Sequence, residues 1–443
     1  MAVSLDNPFI IIFFAGTLFT FFMNHFLEFI DFKSRQKNGG HIPEVLKKYS
    51  LATDTFDEEK LRKIVAYEDD KYRFWVVKSP FTLCLSFLLV FSGFYPWLLG
   101  KIVSFTGIPS AFGSAFLCFF LFLLLGSVPE EIISIPFALF KEFVIEKKHG
   151  FSKMTPKLWI QDYFKEGLVS LVLSALLTVA AAFAFTFFRT TWAFILAALL
   201  VIFTFIMQIV YPKFIAPLFN KFSPLEDGEL KDRISALLFK TGFISDGLFV
   251  MDASKRSGHS NAYFSGFGKH KRIVLYDTLI NQLTVGELEA VLGHELGHFK
   301  LKHILKRLLI SIPLEVLVLY FVYCIAQFAP LYTSFGFDFG VENIPYFQFV
   351  GLFVVSLIWS SVSEIFTPLG NIKSRRDEYA ADRFSVETCE NKENMINALI
   401  KLNSENLSEL LPPKFYAFWN YSHPTLIERI SSIEKVEVKN DQS

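Results

Sequence analysis

The sequence predicts a mostly α-helical membrane protein with about seven spans and a small helix-and-strand domain outside the bilayer. Three observations predict it. The chain of 443 residues is 52% hydrophobic and only 19% charged, with mean hydropathy +0.40, which is too apolar for an ordinary water-soluble chain of this length. Seven apolar runs without Lys or Arg are each about the 20 residues needed to cross a bilayer. Between and after the later runs lie polar stretches with short alternating segments and clear helix caps.

The runs are Phe9–Leu27, Pro80–Leu99, Gly113–Pro136, Leu168–Phe188, Trp192–Val210, Leu308–Phe328 and Tyr346–Phe366. The first has no basic segment ahead of it and no small-residue cleavage site, and it continues into Asn24, His25 and Glu28, so it reads as a retained span. The chain divides into a five-span region (1–211), a polar segment (212–304), two further spans (305–370) and a polar C-terminal segment (371–443). With seven spans, one side of the membrane receives only Lys101, Arg189 and the loop Pro330–Pro345, while nearly all other Lys and Arg fall opposite. The positive-inside rule puts that basic side, with both polar segments, in the cytoplasm. Formal net charge is zero, which gives no case for nucleic acid as a partner. Cys84, Cys118 and Cys324 lie in spans and Cys389 in a cytoplasmic segment, so buried thiols are expected and no disulfide framework.

In 212–304, Gly247–Met251, Ser260–Phe264 and Arg272–Tyr276 read as short strands, with a hairpin loop over Gly266–Lys271. Thr284-Val-Gly-Glu287 is a capping box and starts a helix that carries His294-Glu-Leu-Gly-His298. Four residues apart on a helix, His294 and His298 share a face, the separation at which two imidazoles can bind one Zn²⁺ at roughly 2.0–2.1 Å. Glu295 stands beside the first ligand and can accept a proton from water activated by the metal. The bland alternative is a surface helix holding these letters by chance, but the cap, the small Gly293 and Gly297 and the neighbouring strands all suit a zinc hydrolase.

A catalytic zinc of this kind needs a third protein ligand and an open position. His303, Glu364, Glu378, Asp382, Glu387 and His423 are candidates. His303 follows His298 by five residues, roughly 140° around an ideal helix, and is expected to point away. In Ser374-Arg-Arg-Asp-Glu-Tyr-Ala-Ala-Asp382, Glu378 and Asp382 share a helical face. Glu378 can bind the metal while Asp382 accepts the other N–H of a ligand histidine, an arrangement also found in thermolysin-like zinc peptidases. Asp377 and Glu387 fit a solvated charged face better. His423, in Ser422-His-Pro424, is a candidate donor to an oxyanion, against a structural role at a helix start.

Taken together, the residues carry a family resemblance. Glu146-Lys-Lys-His-Gly-Phe151, Tyr211–Phe219, Lys255–Phe264, Arg272–Leu279, the HELGH helix, Ser374-Arg-Arg-x-Glu378 and Tyr421–Arg429 resemble, in order, the type I CAAX prenyl proteases. The resemblance implies zinc ligation by His294, His298 and Glu378, and Glu295 as base. It further implies that Asn261, on an edge strand, pairs with substrate backbone and that His423 and Arg429 lie close to the metal. It implies spans ringed around a water-filled chamber, a gluzincin-like protease domain facing the cytoplasm, and prenylated or membrane-associated substrates. The membrane would be endoplasmic reticulum or inner nuclear in a eukaryote and the inner membrane in a bacterium. Phe299 stands where Trp is common in the family, and Ala380 where Gln often precedes the Ala-Asp pair; neither is a ligand. A chamber also accounts for Glu130, Glu131, Glu315 and Glu28, since carboxylates inside spans usually face water or the bundle interior. A broader protease for misfolded or translocation-stalled membrane proteins, or a non-catalytic scaffold, are the competing readings. The complete HExxH, Glu378 and His423 set argues against the scaffold.

Overall fold

A computed structural model of the chain describes residues 6–267 and 270–437. Seven helices are long and apolar enough to cross a membrane: Pro8–Asn38, Glu58–Phe91, Phe112–Glu146, Pro156–Phe187, Trp192–Phe219, His303–Ile325 and Gln348–Cys389. Their starts are written in the sequence. The Asn7 side chain accepts from Phe9 N at 3.1 Å with Pro8 in the first turn, and Thr155 does the same for Leu158 N ahead of Pro156. Pro129 and Pro136 each withhold a ladder donor, and the helix that contains them passes into a wider π-helical turn at Lys141–Glu146.

Several helices extend well past the apolar runs that announced them, and the second span ends well inside its run. The second span runs Glu58–Phe91 rather than Pro80–Leu99, because the chain turns at Ser92-Gly93, where Gly93 takes φ 73°. A second helix, Phe94–Thr106, follows. Hydropathy is blind to that turn, since both flanks are equally apolar.

The bundle is packed at its ends. At the end away from the polar segments, one apolar core joins Ile10, Phe13, Leu89, Val90, Phe122, Phe185, Trp192, Val322, Tyr332 and Phe349. Every one comes from the near end of a span or from the loops beyond it. Along the middle of several spans nothing is buried: none between Asp69 and Leu89, between Asp162 and Thr178, or between His303 and Leu319. Inward faces of a tightly packed bundle would be buried, so the spans enclose open space at mid-length.

At the other end two larger cores and a small cluster of Met251, Ala253 and Val274 build the polar domain. A four-stranded sheet, β1 (Phe222–Pro224), β2 (Leu248–Met251), β3 (Ala262–Phe267) and β4 (His270–Tyr276), runs in the order β1-β2-β4-β3. β2 pairs with β4 in parallel, the other pairs are antiparallel, and β3 is an edge. The loop expected over Gly266–Lys271 is shorter than that: Gly266 pairs with Lys271 and Phe267 with His270, and residues 268–269 lie outside the described residues. Leu288, Leu292 and Leu296, spaced by four, pack the HELGH helix against Ile273 and Leu275 of the sheet. His294 and His298 therefore leave the opposite side of that helix. The last span bends through Ser363–Phe366 and continues as Thr367–Cys389, so the membrane hairpin delivers its final helix directly onto the HELGH helix.

Candidate metal centre

The HELGH helix, Val285–Lys300, begins with both halves of its capping box: Glu287 Oε2 accepts from Thr284 N at 2.7 Å and Thr284 Oγ1 from Glu287 N at 3.4 Å. The glycines beside the histidines set its distance from Thr367–Cys389. A Cβ on Gly297 would lie 3.1 Å from Ala381 Cα, and one on Gly293 would lie 2.9 Å from Ser385 Oγ and Cys389 Sγ. Ser385 Oγ donates to Ala290 O across the same seam at 2.5 Å. Contact this close brings Glu378 over the two histidines.

Nε2 of His294 and Nε2 of His298 are 3.2 Å apart; Glu378 Oε2 lies 3.3 Å from the first and Glu378 Oε1 lies 3.2 Å from the second. One donor atom from each of the three residues lies within 4.8 Å of the others, and the nitrogen–nitrogen separation is near the roughly 3.3–3.4 Å edge of a tetrahedron with bonds of roughly 2.0–2.1 Å. Glu378 Oε2 is buried without a hydrogen-bond partner, the state of a carboxylate oxygen built for a cation. Among the described residues this is the one His/Cys/Asp/Glu cluster with metal-ligand spacing. The donor set fits zinc.

The outward nitrogens of both histidines are also engaged. His294 Nδ1 is 2.7 Å from Asp382 Oδ1, and Asp382, 1% exposed, is clamped by Arg429 through Nε at 2.9 Å and Nη2 at 2.5 Å. Burial works against the Arg429 charge, but Asp382 more than offsets it and raises the guanidinium pKa. His298 Nδ1 meets His303 Nδ1 at 2.9 Å. This corrects the expectation that His303 points away. The helix stops at Lys300, Lys302 takes a left-handed conformation (φ 57°), and the chain swings His303 back toward the site.

Glu295 is partly buried, and burial raises its carboxyl pKa against the opposing pull of His294 and His298. His423 Nε2 reaches 3.5 Å from Glu378 Oε1 at the open side of the cluster. A polar cavity of about 630 Å³ opens there, lined by Glu68, Asn406, Tyr421, His423 and Arg429. A second cavity, about 450 Å³ and largely apolar, opens beside His298 between Phe205, Phe299, Leu305 and Leu308. Glu387 is exposed, and neither it nor Glu364 joins the cluster. Asn261 immediately precedes the edge strand instead of lying within it; its carbonyl still accepts from Tyr276 N at 3.1 Å, and its Oδ1 accepts from Ala262 N at 2.8 Å. Of the eight site residues expected from the sequence, seven converge here, and Asn261 stands at the neighbouring sheet edge. The residue that sequence reasoning missed is His303.

Comparison with known proteins agrees with this architecture. The profile of peptidase family M48 matches residues 224–437, and that of the CAAX prenyl protease N-terminal region, five membrane helices, matches residues 32–221. The chain is 35% identical to the CAAX prenyl protease 1 homolog of Dictyostelium discoideum, covering 94% of this chain and 95% of that protein. It is 31% identical to CAAX prenyl protease 1 of Saccharomyces cerevisiae, covering 94% and 93%. The crystal structure of S. mikatae Ste24p superposes with TM-score 0.87 at 30% identity, covering 96% of this chain and 99% of that one. The chain therefore belongs to the CAAX prenyl protease 1 family and is a multi-pass membrane metalloprotease of peptidase family M48.

Proposed function

We propose that this protein is a zinc endopeptidase that cuts near the C-terminus of isoprenylated CAAX proteins, with its metal centre facing the cytoplasm. The observation that carries the chemistry is the convergence of His294, His298 and Glu378: the two Nε2 atoms are 3.2 Å apart, and each has a Glu378 oxygen 3.2–3.3 Å away. Bound there, zinc would supply Lewis-acid activation of water and of the scissile carbonyl. Glu295 accepts the proton released by the attacking water and passes it to the departing amine, and it follows His294 directly on the helix that carries both histidines. His423, at the open side of the cluster, donates to the developing oxyanion. Asp382, clamped by Arg429, holds His294 in the tautomer and orientation a ligand needs.

Substrate binding follows from the edge strand. β3 can add an extended peptide as a further strand, and Asn261 at its start is placed to hold that peptide's backbone. Backbone pairing recognises no particular side chain, so selectivity must come from elsewhere. The apolar cavity beside His298 supports a lipid: it lies next to the bond-breaking site, and each buried CH₂ contributes roughly 0.8 kcal/mol. The relatives' names point the same way.

The test is kcat/KM for matched CAAX peptides with and without farnesyl, in wild type and Asn261→Ala. We expect farnesyl to lower KM more than any single side-chain change, and Asn261→Ala to impair both peptides alike. Equal wild-type rates for both peptides would remove the prenyl requirement and favour a broader membrane-protein protease.

A further inference from the structure

The two candidate histidine ligands are supported in different ways. His294 leans on a carboxylate, Asp382, itself locked by Arg429. His298 leans on another imidazole. His303 is 4% exposed, its Nδ1 is 2.9 Å from His298 Nδ1, and its Nε2 faces Asp377 Oδ1 at 3.7 Å. Asp377 is in turn held by Lys373 at 3.2 Å.

Proton placement makes this contact directional. His298 Nε2 belongs to the donor triangle, so as a ligand it must carry its proton on Nδ1. That N–H has one partner in reach, His303 Nδ1, which can accept only if the His303 proton sits on Nε2. The side of His303 that would bear this proton is the one turned to Asp377. At 3.7 Å the carboxylate is beyond hydrogen-bond length, but its charge still favours a proton on that side of the ring.

The backbone adopts an uncommon conformation to make the contact. Leu301 and Lys302 end the HELGH helix, and Lys302 enters the left-handed region at φ 57°, ψ 36°, which residues other than glycine seldom adopt. Continuation of the helix would instead turn His303 roughly 140° away from His298.

We infer that His303 is a positioning residue for the metal: it accepts from His298 Nδ1–H and so fixes the tautomer and ring orientation of that ligand. The inference rests on the proposed ligand role of His298. Unlike Asp382, the partner here is neutral, so His298 is the less strongly supported ligand of the pair.

The experiment uses the full-length, zinc-loaded protein in detergent and measures zinc release to an excess of a chromogenic chelator at neutral pH. His303→Asn and His303→Leu have the same branched shape, and Asn places an acceptor oxygen where His has Nδ1. We expect His303→Leu to release zinc roughly 10–100-fold faster than wild type. His303→Asn should stay within a few-fold of wild type, and the metal-free forms of both variants should melt together. Equal release from Asn and Leu, or wild-type release from Leu, overturns the inference. His298→Ala is measured alongside: stoichiometric, slowly released zinc in that variant would show that the ligand assignment itself has failed. Should His303→Leu not fold, His303→Phe against His303→Asn gives the same contrast.

Discussion

Glu295 lies partly out of water, and burial holds its carboxyl above the ordinary glutamate range while two histidines pull it down. Removing its ability to take a proton, without changing its size, isolates the base role. Glu295→Gln is expected to keep a full complement of zinc by elemental analysis and to lose roughly 10²–10⁴ in kcat. Retained turnover would end that assignment. A second carboxylate carries a stability signal. Glu409 accepts from Arg35 Nη1 at 3.0 Å, and burial, reinforced by Asp31 and opposed by Arg35, pushes its pKa up to about 8. The unfolded chain ionises that group at roughly 4.3. Between these values the folded protein holds a proton that the unfolded chain has lost, so stability falls as pH rises and levels off above the folded pKa. Glu409→Gln mimics the protonated form. Its Tm relative to wild type should therefore climb from pH 6 to pH 9, and a flat difference would show that Glu409 ionises normally.

The seam between the HELGH helix and Thr367–Cys389 decides whether the donors meet. Gly297→Ala gains roughly 1 kcal/mol of helix propensity. Against it stands a Cβ placed 3.1 Å from Ala381 Cα and 3.2 Å from Ala381 O, atoms that no side-chain rotation can move. Overpacking of this kind costs roughly 1–3 kcal/mol and should win. The expected outcome is a lower Tm together with weaker zinc retention, because the helix carrying Glu378 is pushed outward. A raised Tm would mean that the seam has slack. At this scale the sequence was informative wherever spacing alone sets geometry: the capping box at Thr284, the paired histidines, and Glu378 with Asp382 on one face all appear where expected. It was silent where a turn is made by residues with no turn signature. Lys302 adopts a glycine-like φ without being glycine, so extending an ideal helix put His303 on the wrong side. Ser92-Gly93 lies inside an apolar run, where hydropathy averages over the break. Asn261 missed its strand by one residue because polar side chains at a sheet edge leave no alternating pattern to read.

Across the whole molecule, the apolar core at one end and the two cores of the polar domain at the other hold the spans like hoops, with open space between. Seven crossings put these ends on opposite sides of the membrane. In a background with the four native cysteines replaced, single cysteines at Lys101, Arg189 or Glu342, all exposed, should react with an impermeant maleimide only from the non-cytoplasmic side. Cysteines at Glu226 or Glu393 should react only from the cytoplasm. Labelling at residue 101 from the cytoplasm would break the seven-span count. Phe335, in the same loop as Glu342, is 2% exposed and would make a poor probe.

The membrane hairpin between the HELGH helix and Thr367–Cys389 also has a meaning in time. A ribosome delivers His294 and His298 first, then two complete spans, and only afterwards Glu378, Asp382 and Arg429. Until the hairpin is threaded, the nascent chain holds two imidazoles and no carboxylate to complete the proposed triangle. A half-inserted copy is therefore a harmless one. On the proposed site, peptide-cutting ability would come only with finished topology, so the order of synthesis itself would keep an unfinished copy from cutting the chains around it.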